Sequence, residues 1–150
     1  MTSPEENFDP DLFLPYLLAQ AAEAAGREFE AVYRARFGIR RAEWRVLFHL
    51  GQGGRMTATR IAARAALHKT KVSRAVARLA ERRFVLRERC ETDRRAEYLD
   101  LTAAGRAAFR DLRREAARYD ARLMAAFSPR DAALLRAMLC RLAAPRSDGT

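Results

Sequence analysis

Lysine is almost absent from this chain. Of its 29 basic residues only Lys69 and Lys71 are lysines; the rest are arginine. Cysteine is equally scarce, and Cys90 and Cys140 alone make no disulfide framework, so a reducing cytoplasm is the expected compartment. The two histidines, His49 and His68, stand far apart without ligand-spaced partners, so no metal site and no cofactor is expected. No uninterrupted apolar run reaches membrane-spanning length. The start, MTSPEENFDPD, is acidic and proline-bearing, unlike a signal peptide. The one glycine cluster, GQGGR at 51–55, lacks the Gly-Lys-Ser/Thr continuation of a phosphate loop and follows a helix rather than a strand. With no evident nucleophile–base set either, the chain reads as a non-enzyme, and it carries no internal repeat.

What remains is 150 residues, 49% hydrophobic and 32% charged, long enough for one globular domain with a real core. The formal charge of +10 is unevenly spread. Between 69 and 95 ten basic residues (Lys69, Lys71, Arg74, Arg78, Arg82, Arg83, Arg87, Arg89, Arg94, Arg95) face four acids (Glu81, Glu88, Glu91, Asp93). Such a concentrated excess suits a polyanion.

Apolar spacing predicts a long helix over 12–37, closed by Gly38. A second helix is expected over 42–50, buried nearly all round through Trp44, Leu47, Phe48, Val46 and Leu50, with GQGGR as the break after it. Thr57 caps a short helix to 65, with Ile61, Ala62 and Ala65 inward. A tight turn at 66–68 leads into a helix over 69–83 with Val72, Val76 and Leu79 buried. Two β-prone runs, 83–89 and 96–101, flank a charged turn. Thr102 then caps a helix to 127 carrying Ala108, Leu112, Tyr119 and Leu123 inward. Ser128 and Pro129 open a last helix to 143, with Cys140 at a core position, and the end of the chain frays. This order predicts a mainly α fold with a small β-hairpin wing, a winged helix-turn-helix joined to long flanking helices.

The face of 69–83 opposite its apolar stripe presents Lys69, Thr70, Ser73, Arg74 and Arg78, with Lys71 on its flank. Small polar residues let a helix sit deep in a major groove, where Ser, Thr, Lys and Arg reach base edges. Arg78 and Arg82, further along, suit phosphates. His68 stands at the mouth of the helix, capping it or touching phosphate. In the turn ETDRRAE, Arg94 and Arg95 follow Asp93. A narrow minor groove attracts inserted arginine, and Asp93 is placed to hold the Arg95 guanidinium in a forked pair.

These residues carry a resemblance. Thr57-x-x-x-Ile61-Ala62, Lys69-x-x-Val72-Ser73-Arg74-x-Val76-x-x-Leu79, Asp93-x-Arg95 and Leu101-Thr102-x-x-Gly105 are together similar to the MarR family of bacterial transcriptional regulators. The resemblance implies an obligate homodimer, with 11–37 and 102–143 as intertwined dimerisation helices and 42–101 as the DNA-binding lobe. It implies a recognition helix at 69–83 in the major groove of a pseudo-palindromic operator. Arg95, steadied by Asp93, would enter the minor groove, with Thr57, His68 and Arg94 also on the DNA-binding surface. One position departs: many members have glycine where Arg83 stands, so here the helix must end differently or accept a strained φ.

The resemblance further implies a small effector, often an aromatic or phenolic acid, that releases a repressor. Candidate lining residues are Phe13, Tyr16 and Tyr33 on the first helix and Trp44, Arg45 and His49 on the second. The run Glu43-Trp44-Arg45-Val46-Leu47 is similar to regulators of aromatic-acid catabolism, some of which answer to coenzyme A thioesters. Three alternatives stand beside this reading. One is a non-specific architectural DNA binder. Another is a regulator sensing redox state through Cys90, whose thiolate Arg87 and Arg89 would favour. The third is a basic surface that docks on membranes or acidic proteins.

Overall fold

The computed structural model describes residues 3–93 and 95–145. Two compact units result, one over residues 1–115 and one over 116–150. The first begins with a single 3-10 turn at Pro10–Leu12, then helix α1 over Leu14–Phe37. Gly38, at φ 63°, closes α1 as expected, its N–H donating to the Arg34 carbonyl at 2.8 Å. Helix α2 spans Arg41–Gly53. Its start is fixed by Glu43, whose carboxylate accepts the backbone N–H of Arg40 at 3.2 Å.

Two expectations for α2 need correction. It does not break at Gly51, because Gly51 is an interior helical position whose missing side chain makes room for the Phe109 ring. A Cβ there would lie 2.5 Å from that ring. Nor is α2 buried all round: Glu43, Val46, Leu47 and Leu50 form one inward stripe, while Phe48 stays 41% exposed. Trp44 is half-buried on the flank, against Phe29 at 5.4 Å and Phe48 at 5.8 Å between ring centres.

Next come strand β1 (Met56–Thr57), helix α3 (Ala58–Ala65) and helix α4 (Lys69–Glu81). Thr57 caps α3 by accepting from the Arg60 N–H at 3.3 Å. The inward residues are those expected, Ile61, Ala62 and Ala65 on α3 and Val72, Val76 and Leu79 on α4, joined by Ala75. Both helices end in the same way. Ala66 (φ 52°) and Arg83 (φ 61°) take left-handed backbone. Leu67 N–H then reaches the Ala62 carbonyl and Phe84 N–H the Leu79 carbonyl, at 3.1 and 2.9 Å. This double closure normally uses glycine, and it ends α4 two residues before the expected boundary.

Strands β2 (Val85–Arg89) and β3 (Glu97–Leu101) pair antiparallel from Val85–Leu101 to Arg89–Glu97. The sheet is three-stranded rather than a bare hairpin, in the order β1-β3-β2, with Met56 opposite Leu99. Two residues are too few for a periodic signal, so β1 escaped the pattern reading. Val85, Leu99 and Leu101 are buried against the lobe.

Helix α5 covers Ala103–Met124. Thr102 works in two directions at its start: its hydroxyl donates to the Arg83 carbonyl at 2.6 Å and accepts from Gly105 N–H at 3.0 Å. A Cβ on Gly105 would lie 2.1 Å from the Phe84 carbonyl oxygen, which also accepts Thr102 N–H at 3.1 Å. The Thr-x-x-Gly spacing is thus a packing requirement where the wing meets α5. Ala108, Phe109 and Leu112 enter the core, and Arg36 of α1 pairs with Asp111 and with Glu115, the latter at 3.2 Å.

The second unit holds the last turns of α5, which ends at Met124 rather than 127, and helix α6 over Pro129–Ala143. Ser128 caps α6 through Asp131 N–H at 3.1 Å, and Arg136 pairs with Asp120 at 2.6 Å. Tyr119 is buried, but Leu123 is not, and α6 has no buried residue. Cys140 is therefore exposed, not in a core. Within its unit α6 has only the end of α5 to pack against. Leu134, Met138, Leu139 and Leu142 consequently face outward. Among the described residues no helix is long and apolar enough to cross a membrane.

Candidate nucleic-acid interface and ligand cleft

Helix α4 presents Lys69, Thr70, Lys71, Ser73, Arg74 and Arg78 at the surface. Among the described residues Lys69, Lys71 and Arg74 have no acidic partner. Arg78 does: it lies 3.7 Å from the carboxylate of Glu43, which is 4% exposed. Its guanidinium therefore anchors α4 to α2, a role the sequence reading missed, although the Arg40-x-x-Glu43 cap spacing was there to be read. His68 is the cap of α4, its Nδ1 accepting from Thr70 N–H at 3.2 Å. The Thr57 hydroxyl is similarly engaged in capping α3.

The wing tip differs from expectation in its chemistry. Asp93 Oδ1 accepts the backbone N–H of Arg95 at 3.0 Å and forms no pair with its guanidinium. An aspartate side chain is short and naturally folds onto the N–H two residues on; the guanidinium lies at the far end of an exposed side chain. What Asp93 holds is the turn. Ala96 N–H to the Asp93 carbonyl (3.1 Å) and Cys90 N–H to the Ala96 carbonyl (3.0 Å) complete it. Arg94 lies outside the described residues. Arg95 and Asp93 share a hollow of about 370 Å³ with Thr57 and Thr59, so the tip sits beside the start of α3. Lower on the wing Arg87 pairs with Glu97 at 3.2 Å, and Glu88 takes Arg55, the residue before β1, at 2.8 Å, with Arg55 also over the Tyr98 ring. Cys90 is half-buried, its thiol held below the usual range by hydrogen bonds from the Thr92 hydroxyl and then from the backbone of Thr92 and Asp93. The cause is not Arg87 or Arg89, and the Asp93 charge opposes it.

Between α1 and α2 lies a cleft of about 300 Å³. Its wall is aromatic: Trp44 stacks on Tyr33 (5.9 Å, 21°), and Phe29 meets both edge-on. Arg41 bridges Glu23 at 2.8 Å and Glu30 at 2.9 Å, which holds the guanidinium well above its ordinary pKa and Glu23 below its own. The Arg41 Nε is buried and without a partner. Burial, with the Glu30 charge behind it, raises the Tyr33 phenol.

Of the six expected lining residues, Tyr33, Trp44 and Arg45 line this cleft. The other three do not. Phe13 and Tyr16 are exposed near the start of α1, where Phe13 packs edge-on against Phe8 at 5.6 Å. His49 is one turn beyond Arg45, edge-on to Phe48 at 5.4 Å, and burial followed by the charges of Arg64 and Arg45 lowers its pKa. The sequence reading missed Glu23 and Arg41. Glu23 and Glu30, seven residues apart, fall on one helical face, which was the available signal.

The sequence of residues 37–96 matches the family model described as MarR family. No curated protein matches the chain. Among solved structures, the MarR family transcriptional regulator SPO1453 from Silicibacter pomeroyi is 31% identical. The alignment covers 91% of this chain and 99% of that one, with a TM-score of 0.75. The transcriptional regulator PA4135 is 27% identical over 89% of this chain and 98% of its own, TM-score 0.79. NadR, solved in complex with 4-hydroxyphenylacetate, shares the fold at 24% identity over 97% and 100% of the two chains, TM-score 0.74. Fold, motif order and these likenesses agree, and the chain belongs to the MarR family of transcriptional regulators, a family of non-enzymes.

Proposed function

We propose that the protein is a cytoplasmic homodimeric repressor that binds a pseudo-palindromic operator and is released by a small aromatic acid. The observation that carries the DNA reading is a cluster: Lys69, Lys71 and Arg74 stand together at the exposed start of α4 and, among the described residues, have no carboxylate partner. Free cations on one helix face, interspersed with Thr70 and Ser73, suit phosphate and base-edge contact in a major groove. Arg95, carried on a turn that Asp93 stiffens, suits the adjacent minor groove, and Thr57, His68 and Arg94 are assigned to the same DNA-binding role.

Residues 42–101 would form the DNA-binding lobe, and 11–37 with 102–143 the dimerisation helices. Leu134, Met138 and Leu142 exposed along one helix support that, since contiguous apolar surface marks an interface. The aromatic cleft beside Arg45 supports an aromatic carboxylate or its coenzyme A thioester as effector, and the fold of NadR holds one such acid. The test is selection of bound genomic fragments by the purified protein at near-physiological salt. One palindromic motif with half-sites about a helical turn apart is expected. Enrichment without a motif would instead establish an architectural binder.

A further inference from the structure

Arg45 faces two ways. It lines the α1–α2 cleft, and its Nη1 donates to the Ala65 carbonyl at 3.1 Å. Ala65 is the last residue of α3, and the turn that follows, with Ala66 in left-handed backbone, delivers the chain to the His68 cap of α4. Carbonyls in a helix's last turn lack intrahelical partners. The closure of α3 uses the Ala62 and Ala63 carbonyls for the two turn N–H groups. That of Ala65, a buried residue, is left to Arg45. A cation at this end also complements the helix dipole.

The cleft's other arginine is not available. Arg41 is already shared by Glu23 and Glu30, and Glu23 puts a carboxylate at that end of the cleft. An incoming carboxylate is repelled there. Among the described cleft residues, Arg45 is the cation held by no carboxylate, and it follows Trp44 directly in sequence. A carboxylate offers full charge and two oxygens to a guanidinium, against one neutral carbonyl oxygen.

We infer that Arg45 is both the carboxylate anchor of the cleft and the link to the DNA-binding turn. An aromatic carboxylate takes Arg45 from the Ala65 carbonyl and thereby loosens the α3–α4 turn. The inference rests on the cleft being the effector site and adds how occupancy there reaches α4. It also states a specificity: a carboxylate is required, and the corresponding primary amide, which is uncharged, does not compete for Arg45.

The test uses the full-length protein, Arg45→Met, which keeps much of the apolar stem, and Arg45→Lys, which restores a charge. Each is titrated with aromatic carboxylates, 4-hydroxyphenylacetate and 4-hydroxybenzoate among them, beside their primary amides. Readouts are emission of the sole tryptophan, Trp44, amide exchange at Ala66 and Leu67, and affinity for the DNA selected above. In the wild type a carboxylate and not its amide should quench Trp44 and speed exchange at Ala66 and Leu67 at least tenfold. Arg45→Met should exchange that fast without ligand, bind DNA at least tenfold more weakly and take the carboxylate at least tenfold more weakly. Arg45→Lys should recover part of each. Arg45→Met with wild-type exchange and DNA affinity overturns the link. So does a bound carboxylate that leaves exchange at Ala66 and Leu67 unchanged, because Arg45 would then be serving both partners at once. If nothing in the panel quenches Trp44, the effector reading itself falls; the ligand-free comparison of Arg45→Met with wild type separates the two failures.

Discussion

At Arg83 the main chain adopts φ 61°, where an L side chain crowds the backbone and glycine does not. The arginine side chain is exposed, and nothing in the structure explains its presence. Two closure bonds and the Thr102 hydroxyl bond hold the conformation regardless. Arg83→Gly should therefore raise unfolding free energy by about 1 kcal/mol in urea titration, with the closure intact. A second residue-scale prediction concerns the wing tip. Arg95→Ala should weaken operator binding by about 1–3 kcal/mol in a fluorescence-anisotropy titration. Asp93→Ala should cost less, acting through the entropy of a loosened turn. Asp93→Asn should bind like wild type, because the turn needs an acceptor oxygen and no charge. A loss in Asp93→Asn as large as in Asp93→Ala would restore a role for the carboxylate charge.

Elements were readable in the sequence where their ends carry side-chain chemistry. Thr57, Gly38, Ser128 and Thr102 mark boundaries by capping or by φ, and each does so in the structure. What stayed hidden depends on contacts between distant segments. Gly51 looks like a helix breaker until the Phe109 ring is seen to need its space, 58 residues away in sequence. Strand β1 exists because β3 offers it an edge. The exposed polar and basic set on α4 could be named from one helical face, since that face follows from the buried stripe alone. The cleft was half legible: Tyr33, Trp44 and Arg45 are there, while Glu23 and Arg41 join it through an ion pair across two helices. The junction of Phe84, Thr102 and Gly105 supplies the prediction at this scale. Gly105→Ala pushes a methyl group into the Phe84 carbonyl, a backbone atom that cannot swing aside, and should destabilise by about 1–3 kcal/mol. A wild-type melting temperature in that variant would mean that α5 can shift along the wing.

For the molecule as a whole, the outward apolar side chains of α6, like those at the start of α1, depart from what a lone chain would be expected to show. If the proposed dimer uses this face, the double variant Met138→Glu, Leu142→Glu should convert it to a monomer in sedimentation, and should lower operator affinity because two half-sites are no longer bound together. An unchanged sedimentation coefficient would place the interface elsewhere. Surface ion pairs such as Arg27–Glu23 contribute little to this balance.

The scarcity of lysine has one more consequence. Both lysine side chains lie at the exposed start of α4, a single turn apart or less, with no carboxylate partner among the described residues. Side-chain amine chemistry on this protein is thus confined to one small area. An acetyl group transferred to a lysine here removes charge on the face proposed to meet DNA and nowhere else. For the same reason a lysine-directed reagent would act as a footprint of that surface alone, blocked when DNA is bound.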